Sequence, residues 1–289
     1  LSGEHAVVHG CPAVVAAVDR QITFQARWKK IPKKTILTWL PQLAQIGAIE
    51  LLGRLRSLPT VSIELESTIP IGAGMGSSAA LAVGLSALLL RLLEKPLDHT
   101  GINTMAYQLE KFAHGQPSGA DNTIVTQGGL LRFQREADGR PQFSNLPQPK
   151  TWPELFAINT GKPEETTGEM VKSVRELLAA QPQKKNILEK IGAVTGQFIS
   201  WLNGDDRENL TNLIRENEHL LEELGVVSHS TIDLIRAIEK SGGSAKISGA
   251  GGKRGASGMV LATHPRPDVL TDLFKQKSLD FFPVVINAN

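Results

Sequence analysis

The chain is short of several features that would direct its chemistry. One cysteine, Cys11, stands among 289 residues. An internal disulfide is therefore excluded, and no Cys/His cluster has the spacing of a zinc site. Aromatic residues make up 5% of the chain and tyrosine occurs once, too few for a base-stacking surface. Neither sign of charge dominates: 31 Lys and Arg face 29 Asp and Glu, a formal net charge of +2, which argues against a polyanion partner. Long hydrophobic runs are missing as well. The longest apolar stretch, Ala79 to Leu93, is interrupted by Gly84, Ser86 and Arg91 and is too short to span a bilayer. No signal peptide is visible, so a reducing cytoplasm is the expected compartment. Leu1 opens the chain inside what reads as a motif, which points to a preceding segment.

The composition that remains, 41% hydrophobic and 21% charged, is that of a globular protein large enough for two domains. Alternation predicts strands over 22–26 and 61–67, 155–161 and 281–287 read as strands, and 13–18 is small and apolar. Residues 114–133 read as loop, short helix and strand, and a strand flanks the glycine loop at 249–255 on either side. Helical spacing is found over 42–56, 77–93, 101–114, 165–180, 184–203, 206–224, 229–241 and 266–276. Strands and helices mix without strict βα alternation, so the expected class is α+β. Residues 134–153 are polar and carry Pro141, Pro147, Pro149 and Pro153. That shift in composition sets the expected boundary between domains 1–150 and 151–289.

PIGAGMGSSAAL, residues 70–81, follows a strand and opens a helix. It fails as a Walker loop, because Gly72 and Gly76 are wrongly spaced and no lysine follows. As a dinucleotide fingerprint it fails at the third position, which is Ser77. Its physics still suits an anion: glycines let backbone N–H groups approach a ligand, and a helix N-terminus carries partial positive charge. The serines offer hydroxyls to phosphate or metal. The same residues also read as a glycine-rich turn with a serine cap.

Three further stretches stand out: SGEHAVVHG at 2–10, HGQPSGADNT at 114–123 and KISGAGGKRG at 246–255. Together with PIGAGMGSSAA, and in this order, they resemble the GHMP kinase family (galacto-, homoserine, mevalonate and phosphomevalonate kinases) from about Ser2 to Val260. GEHAVVHG and HGQPSGADN are most similar to the mevalonate kinase branch. The resemblance implies a two-domain fold, with a ribosomal-S5-like N-terminal part and a ferredoxin-like C-terminal part, and an active site between them. It implies ATP and Mg²⁺ as cofactors and mevalonate as substrate. Neither nucleic acid nor membrane is implied as a partner, and a homodimer is one arrangement found among members.

Residue by residue, the resemblance makes Asp121 the general base or orienter of the substrate hydroxyl. Read alone, SGADN is a turn. Glu110, eleven residues earlier, becomes the magnesium ligand, with Ser78 ahead of Ser77 as a second oxygen. Read alone, Glu110 is a solvated helix charge. Gly72, Gly74, Met75, Gly76, Ser77 and Ser78 would wrap the ATP phosphates, and Gly249, Gly251 and Gly252 would lie beside that loop. His5 would bond the substrate, Glu4 would orient its neighbours, and Thr160 lies where some members contact substrate.

Two departures accompany the resemblance. Lys253 and Arg254 stand where the family has glycines and a small residue, and the expected reading of both is a solvent-facing loop tip. The lysine that mevalonate kinases carry before GEH would precede Leu1. Another GHMP small-molecule kinase, such as a phosphomevalonate kinase, and a non-catalytic ligand sensor of the same fold are the alternatives.

Overall fold

The structure, a computed structural model, describes residues 1–28, 61–70, 74–114, 117–136, 138–205 and 209–286. The expected helix over 42–56 and Gly72 lie outside the described residues. In chain order the elements are β1 (Ala13–Ala16), β2 (Ile22–Trp28), β3 (Val61–Ser67), α1 (Ser77–Leu92), α2 (His99–His114), α3 (Ala120–Gln127), β4 (Leu130–Arg135), β5 (Pro141–Leu146) and β6 (Leu155–Asn159). There follow α4 (Thr167–Ala180), α5 (Lys185–Leu202), α6 (Leu210–Leu224), α7 (His229–Lys240), β7 (Ser244–Ile247), β8 (Met259–Thr263), α8 (Pro267–Gln276) and β9 (Asp280–Val284). Among the described residues every strand pairing is antiparallel, and helices accompany the sheets in an α+β arrangement.

Two compact units interleave along the chain. The smaller comprises Arg20–Pro70 and Gly76–Gln127, the larger Leu1–Asp19, Ile71–Met75 and Gly128–Asn289. In the smaller unit β2 and β3 form a two-stranded sheet, from Ile22 opposite Ser67 to Trp28 opposite Val61. α1 packs with α2 and α3 and meets β2. It is dense in alanine and leucine, and Ala79, Ala80, Ala82, Leu89 and Leu90 are buried. Gly84 sits mid-helix because Phe24 from β2 lies against it: a Cβ there would meet Phe24 Cε2 at 2.4 Å.

The larger unit holds a three-stranded sheet in the order β1-β4-β5 and a four-stranded sheet in the order β7-β8-β6-β9. β6 reads LFAIN, and its first four residues are all buried, as a central strand requires. α4 begins with a reciprocal capping box between Thr166 and Glu169, which fixes its start without help from packing. One continuous core links α4 to α8 with this sheet through Met170, Phe198, Leu221, Ile235 and Phe274. The polar stretch at 134–153 contains β5, which the composition concealed. Its burial pattern is mostly exposed and it starts on Pro141, as an edge strand can, so neither alternation nor hydrophobicity marks it.

Candidate active site

In the smaller unit the chain enters α1 through Gly76, whose φ of 68° is left-handed. This removes the serines from the capping position expected of them. No side chain caps the helix, and Ser77 and Ser78 are its first two residues. Ser78 Oγ donates to Glu110 Oε1 at 2.6 Å. Glu110, on α2, is 6% exposed, so the expectation of a solvated helix charge is replaced by a buried carboxylate aimed at a helix N-terminus.

Asp121 lies in the first turn of α3 and is exposed. The turn reading of SGADN gives way to a helix start: Ser118 Oγ accepts from Ala120 N at 3.1 Å, and Thr123 N bonds Gly119 O at 3.2 Å. The first-turn position also complements the helix dipole. Asn122 and Thr123, the next two residues, are 2% and 3% exposed, and their burial turns Asp121 outward.

In the larger unit the Glu4–His5 pair and the 249–252 glycines meet. His5 Nε2 donates to Ala250 O at 2.9 Å, and the ring is 6% exposed. Burial pulls the imidazole pKa below its ordinary value, only partly opposed by this bond, so the ring is neutral with Nδ1 left as an acceptor. His5 also has a φ of 59°, rare for a residue with a Cβ, a strain of the kind found at functional sites. Glu4 pairs with Lys246 Nζ, which also donates to Ile247 O at 2.7 Å. Burial, the largest single influence, would raise the Glu4 carboxyl, but the Lys246 ammonium, the Leu1 amino group and the hydrogen bonds to the carboxylate together outweigh it, and the group is held below the usual carboxylate range.

Gly74 belongs to this unit as well and stands against the 249–252 stretch. A Cβ on Gly74 would meet Ser248 O at 3.1 Å, and one on Gly249 would meet Gly74 O at 3.5 Å. Gly74 and Gly249 thus stand backbone against backbone. Gly251 answers to the protein's own packing, since a Cβ there would meet Val226 O at 2.1 Å. Gly252 N donates to that same oxygen at 2.9 Å.

Thr160 has its hydroxyl engaged twice, donating to Gly258 O at 2.7 Å and accepting from Ser257 N at 3.2 Å. Its contacts hold the exit of the glycine loop. Lys253 and Arg254 are exposed but bound: Arg254 Nε lies 3.0 Å from Glu165 and 3.5 Å from Glu164, and Lys253 Nζ donates to Ser173. The two cations are directed onto the 164–173 segment rather than into open solvent.

Lys246 and Glu218 were missed in the sequence although signals for both were there. Lys246 is 2% exposed in β7, and a lysine between Ala245 and Ile247 in a buried strand is out of pattern. Glu218 is fully buried and falls on the apolar face of α6, one helical turn from Ile214 on one side and from Leu221 on the other. Its Oε2 accepts from Ile247 N at 2.8 Å, and burial pushes its carboxyl up to about 8.

The model of the GHMP kinase N-terminal domain matches residues 43–129. A mevalonate kinase from Archaeoglobus fulgidus is 33% identical over 285 residues, covering 96% of this chain and 94% of that protein. One from Thermococcus onnurineus is 29% identical, covering 94% and 89%. Among solved structures, L. major mevalonate kinase in complex with R-mevalonate shares the fold with a TM-score of 0.80 at 23% identity, covering 99% of this chain and 93% of that one. The chain therefore belongs to the GHMP kinases, small-molecule kinases of α+β fold. Its relatives put it in the mevalonate kinase branch of that family.

Proposed function

We propose that this chain transfers the γ-phosphoryl group of ATP to the C5 hydroxyl of mevalonate, giving 5-phosphomevalonate for isoprenoid synthesis. The observation that carries this reading is the Ser78–Glu110 oxygen pair at the N-terminus of α1, with Asp121 in the first turn of α3. The pair suits Mg²⁺, which takes oxygen ligands, carboxylates among them. Ser78 Oγ and Glu110 Oε1, joined by a 2.6 Å hydrogen bond, would be the two oxygens that hold the ion. When bound, the ion would neutralise charge on the phosphate oxygens.

The protein's own part is positioning. In this reading Gly72, Gly74, Met75, Gly76 and Ser77 offer backbone amides to the phosphates, and the stretch of Gly249, Gly251 and Gly252 lies beside Gly74. Asp121 accepts the hydroxyl proton as the new O–P bond forms and the bond to the ADP oxygen breaks. His5, neutral and fixed by Ala250, offers Nδ1 to a substrate hydroxyl, while Glu4 and Lys246 hold its loop and Thr160 steadies the glycine loop. In this reading residues 1–150 supply the nucleotide-binding residues apart from the glycine loop, which comes from 151–289. The reaction belongs to the cytoplasm, and a homodimer is the expected assembly. No helix among the described residues is long and apolar enough to cross a membrane.

A coupled ADP-release assay across mevalonate, phosphomevalonate, galactose and homoserine tests the proposal. Turnover with mevalonate at a kcat/KM at least tenfold above the others is expected. A preference for phosphomevalonate would reassign the substrate, and no turnover with any of the four would leave a ligand sensor.

A further inference from the structure

α2 presents three residues in a row on one face. Asn103, Tyr107 and Glu110 stand at i, i+4 and i+7, the spacing that stacks side chains along a helix. Glu110 takes the hydrogen bond from Ser78 on α1. The Tyr107 ring lies beside Gly119, where a Cβ would meet Tyr107 Cε2 at 3.5 Å. Asn103, at the other end of the row, reaches α3 with both ends of its amide. Its Oδ1 accepts from Asn122 Nδ2 at 2.6 Å, and its Nδ2 donates to Thr123 Oγ1 at 3.2 Å. Asn122 and Thr123 immediately follow Asp121, and both are buried. One face of α2 therefore carries the residue read as the metal ligand and touches the two residues that follow the one read as the base.

We propose that Asn103 is a positioning residue that clamps the first turn of α3 onto α2, so that Asp121 keeps a fixed distance from the Ser78–Glu110 pair. The catalytic half of this proposal rests on the phosphoryl-transfer reading above; the mechanical half does not. Two hydrogen bonds to consecutive residues fix both the height and the rotation of a helix, which a single bond cannot do. An amide suits the task because it donates and accepts at once. Thr126 Oγ1 back-bonds to Asn122 O at 2.7 Å inside α3, so the clamp acts on a turn that is itself braced. Nothing in Asn103 touches the reacting groups; its effect reaches them through α3.

The test uses the full chain with Asn103→Ala, Thr123→Val and Thr123→Ser. Hydrogen–deuterium exchange should show faster exchange over Ala120–Gln127 in Asn103→Ala, with α1 unchanged. In steady-state kinetics kcat should fall about 10- to 100-fold, the scale of an ångström-sized misplacement. KM for mevalonate and the Mg²⁺ concentration for half-maximal rate should stay within about threefold, because the Ser78–Glu110 pair is left in place to bind the metal. Thr123→Val, which removes one bond at nearly constant volume, should show the same split in smaller degree, and Thr123→Ser should restore it. A merely structural role would lower the melting temperature and leave kcat of the folded fraction untouched. Unchanged exchange in α3, or a wild-type kcat in either clamp variant, overturns the clamp. If Asn103→Ala does not fold, Thr123→Val against Thr123→Ser decides. A wild type that phosphorylates none of the four alcohols while α3 still loosens in the variant overturns the functional reading and leaves the clamp standing.

Discussion

Ser78 and Asp121 divide the proposed chemistry between two kinds of residue, and they should fail differently. Ser78→Ala removes one oxygen beside Glu110. The Mg²⁺ concentration needed for half-maximal rate should rise, by about tenfold, with partial recovery at saturating metal. Asp121→Asn keeps shape and helix position but cannot take a proton, so kcat should fall by about 10² to 10⁴ at any metal concentration while ATP binding persists. Metal titrations of both variants separate the roles, and a normal kcat in Asp121→Asn removes the base assignment. At this scale the sequence reading was uneven for a physical reason. Ser78 and Asp121 stand in ordered motifs, and Glu110 stands at a set spacing from Asp121, so sequence alone singles out all three as candidates. Asn103 lies in an ordinary amphipathic helix, and only the folded contact with Asn122 and Thr123 shows its use. Lys246 and Glu218 broke apolar patterns that were read for periodicity alone.

Among elements, the loop between β7 and β8 shows how a glycine can serve packing before it serves a ligand. Gly251 has φ +70° and stands where a Cβ would press on Val226 O at 2.1 Å, whereas Gly139, in the β4–β5 turn with φ +83°, has nothing within 4 Å. Both substitutions to alanine carry the cost of left-handed backbone, about 1 kcal/mol. Gly251→Ala adds overpacking against backbone, a further 1–3 kcal/mol by order of magnitude. Urea denaturation should therefore place Gly251→Ala about 2–4 kcal/mol below wild type and Gly139→Ala about 1 kcal/mol below. Equal losses would mean that the loop yields at Val226. Most elements were legible: β3, α1 and α4 to α8 fall within a few residues of their expected ranges. β5 was not, because an exposed edge strand lacks the pattern that burial imposes. The expected serine cap of α1 does not form because Gly76 takes a left-handed φ and opens the helix without one.

For the molecule as a whole, stability against pH should carry the signature of one buried acid. Glu218 packs among Lys246, Glu4 and Glu222, and burial is the largest influence on it, ahead of the opposing bond from Ile247 N. Its carboxyl is raised from 4.5 to about 8 in the folded chain. Below the unfolded value the group is protonated in both states and has no effect. Between 4.5 and about 8 the unfolded chain releases this proton while the folded chain keeps it, so stability falls as pH rises, by about 1.4 kcal/mol per unit at most. Above that window the loss is complete and constant. His5 acts in the opposite sense below 6.5, since burial keeps it neutral in the fold while the unfolded ring gains a proton. Glu4, whose carboxyl is lowered, contributes stability that is lost only in acid. Glu218→Gln leaves both of those groups in place and mimics the protonated carboxyl, so the difference between variant and wild type isolates Glu218. That difference should be small near pH 4.5 and grow to a few kcal/mol in favour of the variant by about pH 8. Chemical denaturation at intervals from pH 4.5 to about 8 measures it, and a difference that does not change with pH would mean that Glu218 is ionised in the fold, balanced by Lys246.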